Sequence, residues 1–381
     1  MKKIVCLLLA LCVMAFPVQT SASAMKLTSK GAVLVEASTG SVLMEHNAKE
    51  HLPIASITKI MTMLLIFEAM EAGAYSGEDR VTVSPKAQSM GGSQVYLDAG
   101  YSYSVNDLLK AIAVASANDA CVAMAEFTSG TEGAFVEQMN ARARQLGMDD
   151  TCFANCSGLP DASAYSCAAD VAVMACELLH HEAFFAYSTI WIDEIPHEKD
   201  GRVTQISNTN KMIRWYTGAD GVKTGSTSEA GCCLAMTAKR GEDRYIAVVL
   251  GAASSAVRFS EAQLLMDHAF ASYTTVDPVE SLKNIPIAVE GGKQTQVLAE
   301  PLHACRQVLK KGESVEFETV IRCDEVPRAP IAKGDTVGYA DIVANGEVIA
   351  SVPLTATEEV QRAGFGDHLL RLLRMWMQSQ G

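Results

Sequence analysis

Three short polar clusters, Ser56-Ile57-Thr58-Lys59, Ser116-Ala117-Asn118 and Lys223-Thr224-Gly225, occur in that order along the chain. Together they specify a serine acyl-transfer site whose base is a lysine. A serine hydroxyl is a poor nucleophile until a base removes its proton. Ser56 and Lys59 are three residues apart, so on a helix start their side chains share a face. Lys59 can act as the base only if its pKa falls from about 10.4 to near neutrality, a shift of about three units or roughly 4 kcal/mol. Burial would lower it, and a second cation nearby would lower it further; Lys223 is the candidate. A helix N-terminus would also aim free backbone N–H groups at the reacting carbonyl, giving half of an oxyanion hole.

Ser116 and Asn118 interrupt an apolar helical stretch, Leu108 to Val114, which resumes at Cys121. A loop there would lend the Ser116 hydroxyl to proton transfer and the Asn118 amide to a substrate carbonyl. Lys223-Thr224-Gly225 is followed by Ser226-Thr227-Ser228 and then by a strand-like run, Gly231 to Ala238. An edge strand with a cation, nearby hydroxyls and a glycine allowing close approach suits an extended peptide ending in a carboxylate. Lys223 would supply charge, and Thr224 and Ser226 directional hydrogen bonds.

Each cluster alone also has a bland reading: an N-cap, a helix junction, a polar turn before a strand. The chain carries decoys as well, Ser23-Ala24-Met25-Lys26 and Ser104-Val105-Asn106. Ser104 with Asp107 at the third following position reads as a helix cap.

The elements that must hold these residues follow from periodicity. Gly31 to Glu36 and Ser41 to Glu45 form an opening hairpin around Ala37-Ser38-Thr39-Gly40. Ser56 to about Glu71 is helical and apolar all round, hence buried. Further helices are expected at roughly Ser104 to Phe127, Ala134 to Leu146, Ala168 to Phe185 and Ser255 to Ser272, with strands at Gly231 to Ala238 and Tyr245 to Gly251. Strands at both ends with helices between them predict one α+β domain whose sheet joins the first and last parts of the region. After Thr275 short β-prone runs punctuated by Gly, Pro and Asn-Gly predict a small all-β domain. From Phe365 to Met377 helical periodicity returns, with Phe365, Leu369, Leu372, Leu373 and Trp376 on one face. Such a helix can lie in a membrane interface or pack on its own protein.

The N-terminus reads as an export signal: Lys2 and Lys3, an apolar run from Ile4 to Phe16, and Ala22-Ser23-Ala24 as the cleavage site. Cleavage after Ala24 would split the first decoy. The expected divisions are therefore 1–24 signal, 25–275 catalytic domain, 276–357 β-rich domain and 358–381 amphipathic helix. Loss of Lys2 and Lys3 takes the formal net charge from −13 to −15, which disfavours nucleic acid as a partner. Nine of the eleven cysteines remain, an odd number. Cys152 with Cys156, or Cys305 with Cys323, could pair, while Cys121, Cys176, Cys232 and Cys233 sit in apolar surroundings typical of buried thiols. No ligand spacing for zinc occurs, so neither metal nor cofactor is expected.

The three clusters are the motif set of penicillin-binding proteins and class A β-lactamases. The chain resembles low-molecular-weight penicillin-binding proteins of the serine D-alanyl-D-alanine carboxypeptidase family. The likeness runs through His51-Leu52-Pro53-Ile54-Ala55, Ser116 to Cys121, Asn155-Cys156-Ser157-Gly158-Leu159-Pro160-Asp161, Asn208-Thr209-Asn210-Lys211 and Gly218 to Val222. It covers roughly residues 25–273. It implies a penicillin-binding, β-lactamase-like transpeptidase domain of antiparallel sheet plus helical cluster, a β-rich second domain and a C-terminal anchor on the outer face of the cytoplasmic membrane. The implied reaction removes the terminal D-alanine from a peptidoglycan pentapeptide stem in cell-wall remodelling, with β-lactams acylating the same serine. By position, Ser56 is the nucleophile, Lys59 the base, Ser116 and Lys223 assist proton transfer, Asn118 orients substrate, and Thr224, Gly225 and Ser226 complete the binding edge. Some relatives carry histidine where Ser226 stands and arginine where Thr209 stands, so carboxylate recognition here rests on Lys223 and hydroxyls. The rivals are a serine β-lactamase, which in class A needs a deacylating glutamate in a Glu-x-x-Leu-Asn pattern absent after Asn118, and a penicillin sensor that never turns over.

Overall fold

The computed structural model describes residues 25–378, so the expected export signal at 1–24 lies outside the described residues. Five strands, β1 (Gly31–Glu36), β2 (Val42–His46), β3 (Ala219–Thr227), β4 (Gly231–Arg240) and β5 (Asp243–Ala252), form an antiparallel sheet in the order β2-β1-β5-β4-β3. The first and last parts of the region do meet in one sheet, through β1 against β5. Every residue of β1 is buried, because both faces are covered. Val33 and Val35 face one core with helices α1 (Lys59–Glu71) and α4 (Ala168–Leu178); Ala32 and Leu34 face a second, with α5 (Ser255–Ser272).

β3 was not legible as a strand. The polar cluster at Lys223 does not precede the edge strand; it lies within it, since β3 is the outermost strand of the sheet. The hairpin of Ile192–Pro196 with Val203–Ser207 was missed as well.

The stretch expected as one helix from Ser104 is divided. Val105–Lys110 is α-helical, Ala111–Ala115 is a π-helical turn, Ser116 is left-handed at φ 62°, and α2 (Asn118–Ser129) starts afresh. Ser104 caps the first piece by accepting from the Asp107 N–H at 3.0 Å, the structural role expected of that decoy. Helix α3 (Glu132–Gln145) is capped likewise, its Thr131 hydroxyl accepting from Ala134 N. The helix expected to reach Phe185 stops at Leu178, after which buried His181 turns back to bind Glu71 at 2.7 Å.

After α5 the chain enters the strand Tyr273–Val276, which pairs with Gln307–Lys310. A second antiparallel sheet follows: β6 (Ile285–Ala288), β7 (Gln296–Pro301), β8 (Phe317–Arg322), β9 (Thr336–Ala344) and β10 (Glu347–Ala356), ordered β6-β7-β10-β9-β8. Its own core holds Val297, Ala299, Ala340, Ile342, Val352 and Leu354. The last element, α6 (Phe365–Gln378), exposes Phe365, Leu369, Leu370, Trp376 and Met377. Among the described residues no helix is long and apolar enough to cross a membrane. The nine described cysteines are all free thiols, so neither Cys152 with Cys156 nor Cys305 with Cys323 is bridged.

Candidate active site

Ser56 sits in a single 3-10 turn, Ala55–Thr58, that leads directly into α1. The residue before it, Ala55, is held at φ 48°, a costly conformation for a residue with a Cβ. Surrounding structure must enforce it. β3 presses on the turn from one side, and a Cβ on Gly225 would lie 2.9 Å from Ile54 O, 2.9 Å from Ser56 N and 3.1 Å from Ile57 N. The loop Asn155–Pro160 presses from another, and a Cβ on Gly158 would lie 1.9 Å from Ala55 O. Both glycines are therefore required by close approach.

Lys59 is fully buried, with Nζ 2.9 Å from Ser56 Oγ. The amine also donates to Asn118 Oδ1 at 2.7 Å and to the Ser157 carbonyl at 2.6 Å. A neutral lysine can make both donations with its two protons and still offer a lone pair to the Ser56 hydroxyl. Burial lowers the Lys59 pKa, against the opposing pull of Cys121, Cys156 and Asp119. Two of those are themselves uncharged thiols, since burial pushes Cys121 up to about 11 and Cys156 well above its usual range.

Lys223 is 1% exposed and donates to Ser116 Oγ at 2.8 Å and to its neighbour's carbonyl, Thr224 O, at 3.0 Å. Burial drives its pKa well below the usual lysine range, and the Arg258 guanidinium, with Lys59 whenever that amine is protonated, pushes it further down. This modifies the simplest expectation, a neutral Lys59 beside a permanently charged Lys223. Both amines are depressed. Desolvation acts on both, Arg258 adds a standing positive charge beside Lys223, and each lysine, when protonated, disfavours protonation of the other.

Asn118 is 4% exposed. Its carbonyl oxygen is taken by Lys59 and one amide proton by Gly91 O at 2.7 Å, which leaves the second proton for a substrate carbonyl. Thr224 Oγ1 donates to Thr209 Oγ1 at 2.7 Å, so Thr209 lies directly against β3. Ser226 is exposed, with its hydroxyl 3.7 Å from Cys232 Sγ. The structure thus brings Ser56, Lys59, Ser116, Asn118, Lys223, Thr224, Gly225 and Ser226 to one cleft between β3 and the helical cluster. Among the described residues no cluster of groups able to hold a metal occurs.

Several supporting groups had no assigned role in the sequence. Asn155 Oδ1 accepts from the N–H groups of Ser157, Gly158 and Leu159, fixing the loop whose Ser157 carbonyl holds Lys59. Buried Asp119 accepts from Val95 N and Leu97 N, tying down the segment that follows Gly91. Burial raises its carboxyl pKa. Arg258, on α5, donates to Gly225 O at 3.0 Å and Cys233 O at 3.3 Å from behind the sheet. The Gly225 carbonyl and the Ser226 N–H belong to one peptide unit, so this cation polarises that N–H toward the cleft. Asn155 belongs to a quoted motif and could have been found. Arg258 follows Lys223 by a whole hairpin and part of a helix, and only sheet packing brings it near.

Fold and site define a lysine-assisted serine acyl-transfer enzyme of the penicillin-binding class. Residues 18–254 match the family model described as D-alanyl-D-alanine carboxypeptidase, and residues 273–362 match the one described as Penicillin-binding protein 5, C-terminal domain. The chain belongs to the D-alanyl-D-alanine carboxypeptidase family. It is 41% identical to D-alanyl-D-alanine carboxypeptidase DacF of Bacillus subtilis over 350 residues, covering 91% of this chain and 90% of that protein. The crystal structure of penicillin binding protein 5 from Haemophilus influenzae superposes with TM-score 0.71 at 29% identity, covering 88% of this chain and 98% of that one. Penicillin-binding protein D2 from Listeria monocytogenes in its ampicillin-bound form is 31% identical with TM-score 0.58, covering 65% and 99%.

Proposed function

We propose that this serine-type carboxypeptidase releases the terminal D-alanine of peptidoglycan pentapeptide stems through a Ser56 acyl-enzyme. The observation that carries the assignment of roles is the 2.9 Å contact of Ser56 Oγ with the fully buried Lys59 amine, whose protons are anchored elsewhere. Ser56 Oγ attacks the carbonyl carbon of the penultimate D-alanine and passes its proton to Lys59 Nζ. The N–H groups of Ser56 and Ser226 stabilise the oxyanion, an effect typically worth about 10²–10³ in rate per donor. The C–N bond then breaks as the proton held by Lys59 is relayed by way of the Ser116 hydroxyl, which Lys223 orients, to the leaving amine, and free D-alanine departs with Lys59 neutral again. Water next attacks the ester and restores Ser56.

The substrate carboxylate sets the protonation pattern. Placed against Lys223, Thr224 and Ser226, it favours the ammonium form of Lys223, and that cation in turn disfavours charge on Lys59. Substrate binding thereby prepares the base. β-Lactams acylate Ser56 by the same route. In the loop Asn155 to Asp161 no glutamate is present, and Lys59 occupies the Ser157 carbonyl, which speaks against the class A lactamase arrangement.

The enzyme acts outside the cytoplasm after export, with α6 lying on the outer surface of the cytoplasmic membrane through its exposed apolar residues. The chemistry is tested with a stem analogue ending in D-Ala-D-Ala and, separately, with penicillin. Released D-alanine that disappears in Ser56→Ala, with a long-lived penicilloyl adduct, is the expected result. Fast penicillin hydrolysis without D-alanine release would contradict it. For the anchor, flotation with liposomes unchanged by deleting residues 365–381 would remove the membrane role.

A further inference from the structure

Outside the cleft, cations and aromatic rings gather on one face of a chain whose formal net charge is −13. Lys211, Arg214 and Trp215 lie three and four residues apart through the short helix Met212–Trp215, so their side chains share a face. All three are exposed, Trp215 to 65%. The Lys211 amine stands 5.3 Å from the centre of the Trp215 ring, and the Arg214 guanidinium 5.2 Å from that of Trp191. Arg240, at the far end of β4, lies 4.7 Å from the centre of the Tyr216 ring and donates to Thr217 O at 3.1 Å, which joins it to the same patch. Among the described residues none of these three cations pairs with a carboxylate. The acids that neighbour them in the chain or in packing are engaged elsewhere. Asp267 accepts from the Tyr216 hydroxyl, Asp220 pairs with Arg244, Asp193 with Lys110 and Glu242 with Arg306, and Asp243 accepts from Thr275 N.

The patch continues the cleft past its carboxylate-binding end. Thr209, two residues before Lys211, accepts from the Thr224 hydroxyl, and Asn210 donates to Gly221 O at 2.9 Å, so the chain enters Met212–Trp215 straight from the edge of β3. On the carboxypeptidase reading, the stem being cut ends at Lys223 and Thr224. No part of that stem extends further, so the patch serves a different chain. Uncompensated cations on an acidic protein attract a polyanion that the rest of the surface repels. Arg214 and Arg240 offer planar forks that match phosphate or carboxylate oxygens. The exposed indole offers an apolar plate for the C–H face of a sugar ring. Rings and charges side by side fit a chain in which sugar rings carry anionic groups; an acidic peptide would use the charges and leave the indole idle.

We infer that this face is a docking surface for an anionic glycan, with Lys211, Arg214 and Arg240 on its phosphate or carboxylate groups and Trp215 under a sugar ring. The three cations and the indole touch none of the groups that act on Ser56. Docking therefore decides where the enzyme works and leaves the formation of the ester unchanged. The contact is electrostatic and exposed, so added salt weakens it. The indole takes part in it, so binding changes the tryptophan emission.

The test titrates the full-length enzyme by calorimetry with dextran phosphate, with unmodified dextran and with poly-L-glutamate of matched charge, at low and at raised salt. Dextran phosphate should bind about tenfold more tightly than either control and shift the tryptophan emission. The variant Lys211→Gln/Arg214→Gln/Arg240→Gln should lose about tenfold in affinity together with the salt dependence, and Trp215→Ala about threefold to tenfold. Release of D-alanine from a soluble stem analogue should be unchanged in both variants, which also shows that they fold. Equal affinity for dextran phosphate and poly-L-glutamate, or binding that survives both variants, would overturn the glycan surface. Flotation with phosphatidylglycerol vesicles that is lost in the triple variant while dextran phosphate still binds would assign the patch to a lipid surface and overturn it likewise. Because the readout is binding, an unaltered enzyme that binds dextran phosphate as expected and releases no D-alanine would count against the carboxypeptidase reading and support the docking surface.

Discussion

The molecule contains two five-stranded antiparallel sheets built on opposite principles. In the first, helices cover both faces, every residue of β1 is buried, and two lysines and an aspartate lie at or near zero exposure at its working edge. In the second, β7 alternates exposed and buried residues along Gln296–Leu298, and the core is a single apolar layer with no comparable buried lysine. Left-handed residues with side chains occur in both halves; of the four in the first, Asn47, Ala55, Tyr96 and Ser116, two sit on the catalytic groups, whereas Asn284 and Asn345 in the second are asparagines, which tolerate that conformation. Two strained residues and the two buried lysines thus meet where charge has to be moved. The second sheet carries no such cost.

Substitutions that separate the two sheets should differ by orders of magnitude. Ser56→Ala should abolish D-alanine release, by about 10⁶-fold, the scale on which serine nucleophiles fail, and should leave no penicilloyl adduct in an intact-mass measurement. Gly225→Ala adds a Cβ 2.9 Å from Ser56 N and should push β3 off the nucleophile turn; acylation should fall about 10²–10³-fold, as when an oxyanion donor is lost. Gly158→Ala combines φ +79° with a Cβ 1.9 Å from Ala55 O, and should lower stability by about 1–3 kcal/mol together with a roughly tenfold loss of acylation, read by denaturant titration and penicillin kinetics. Leu354→Ala, in the core of the second sheet, should cost about 2–5 kcal/mol there and leave kcat/KM for D-alanine release unchanged. A large loss of activity in Leu354→Ala would break the division between the sheets.

The contrast also explains what could be read from the sequence. The opening hairpin and α5 follow apolar periodicity, and their expected bounds lie close to those observed. The clusters at Ser56, Ser116 and Lys223 were legible because polar residues there break an otherwise apolar pattern. β3 was not, because Gly221, Lys223, Thr224, Gly225 and Ser226 suit a turn by propensity and become a strand only by pairing with β4. The π-helical turn before Ser116 has no sequence signature, and Arg258 reaches Gly225 only through the packing of α5 on the sheet. The depression of Lys59 was expected from burial, but that of Lys223 was not, because it depends on Lys223's own burial and on Arg258, which are properties of the packed structure.

The central claim, that Lys59 is a desolvated, neutral base for Ser56, is tested most directly by the pH dependence of penicillin acylation, followed by intact-protein mass. Burial holds the Lys59 pKa below its ordinary value, and a base works only when deprotonated, so the rate should rise with pH and level off below the usual lysine value near 10.4. In Lys59→Arg, whose side chain cannot deprotonate, acylation should fall by about 10²–10⁴-fold and lose that rise. An arginine variant that acylates at the normal rate, or an unaltered enzyme whose rate still climbs through pH 10.4, would contradict the account.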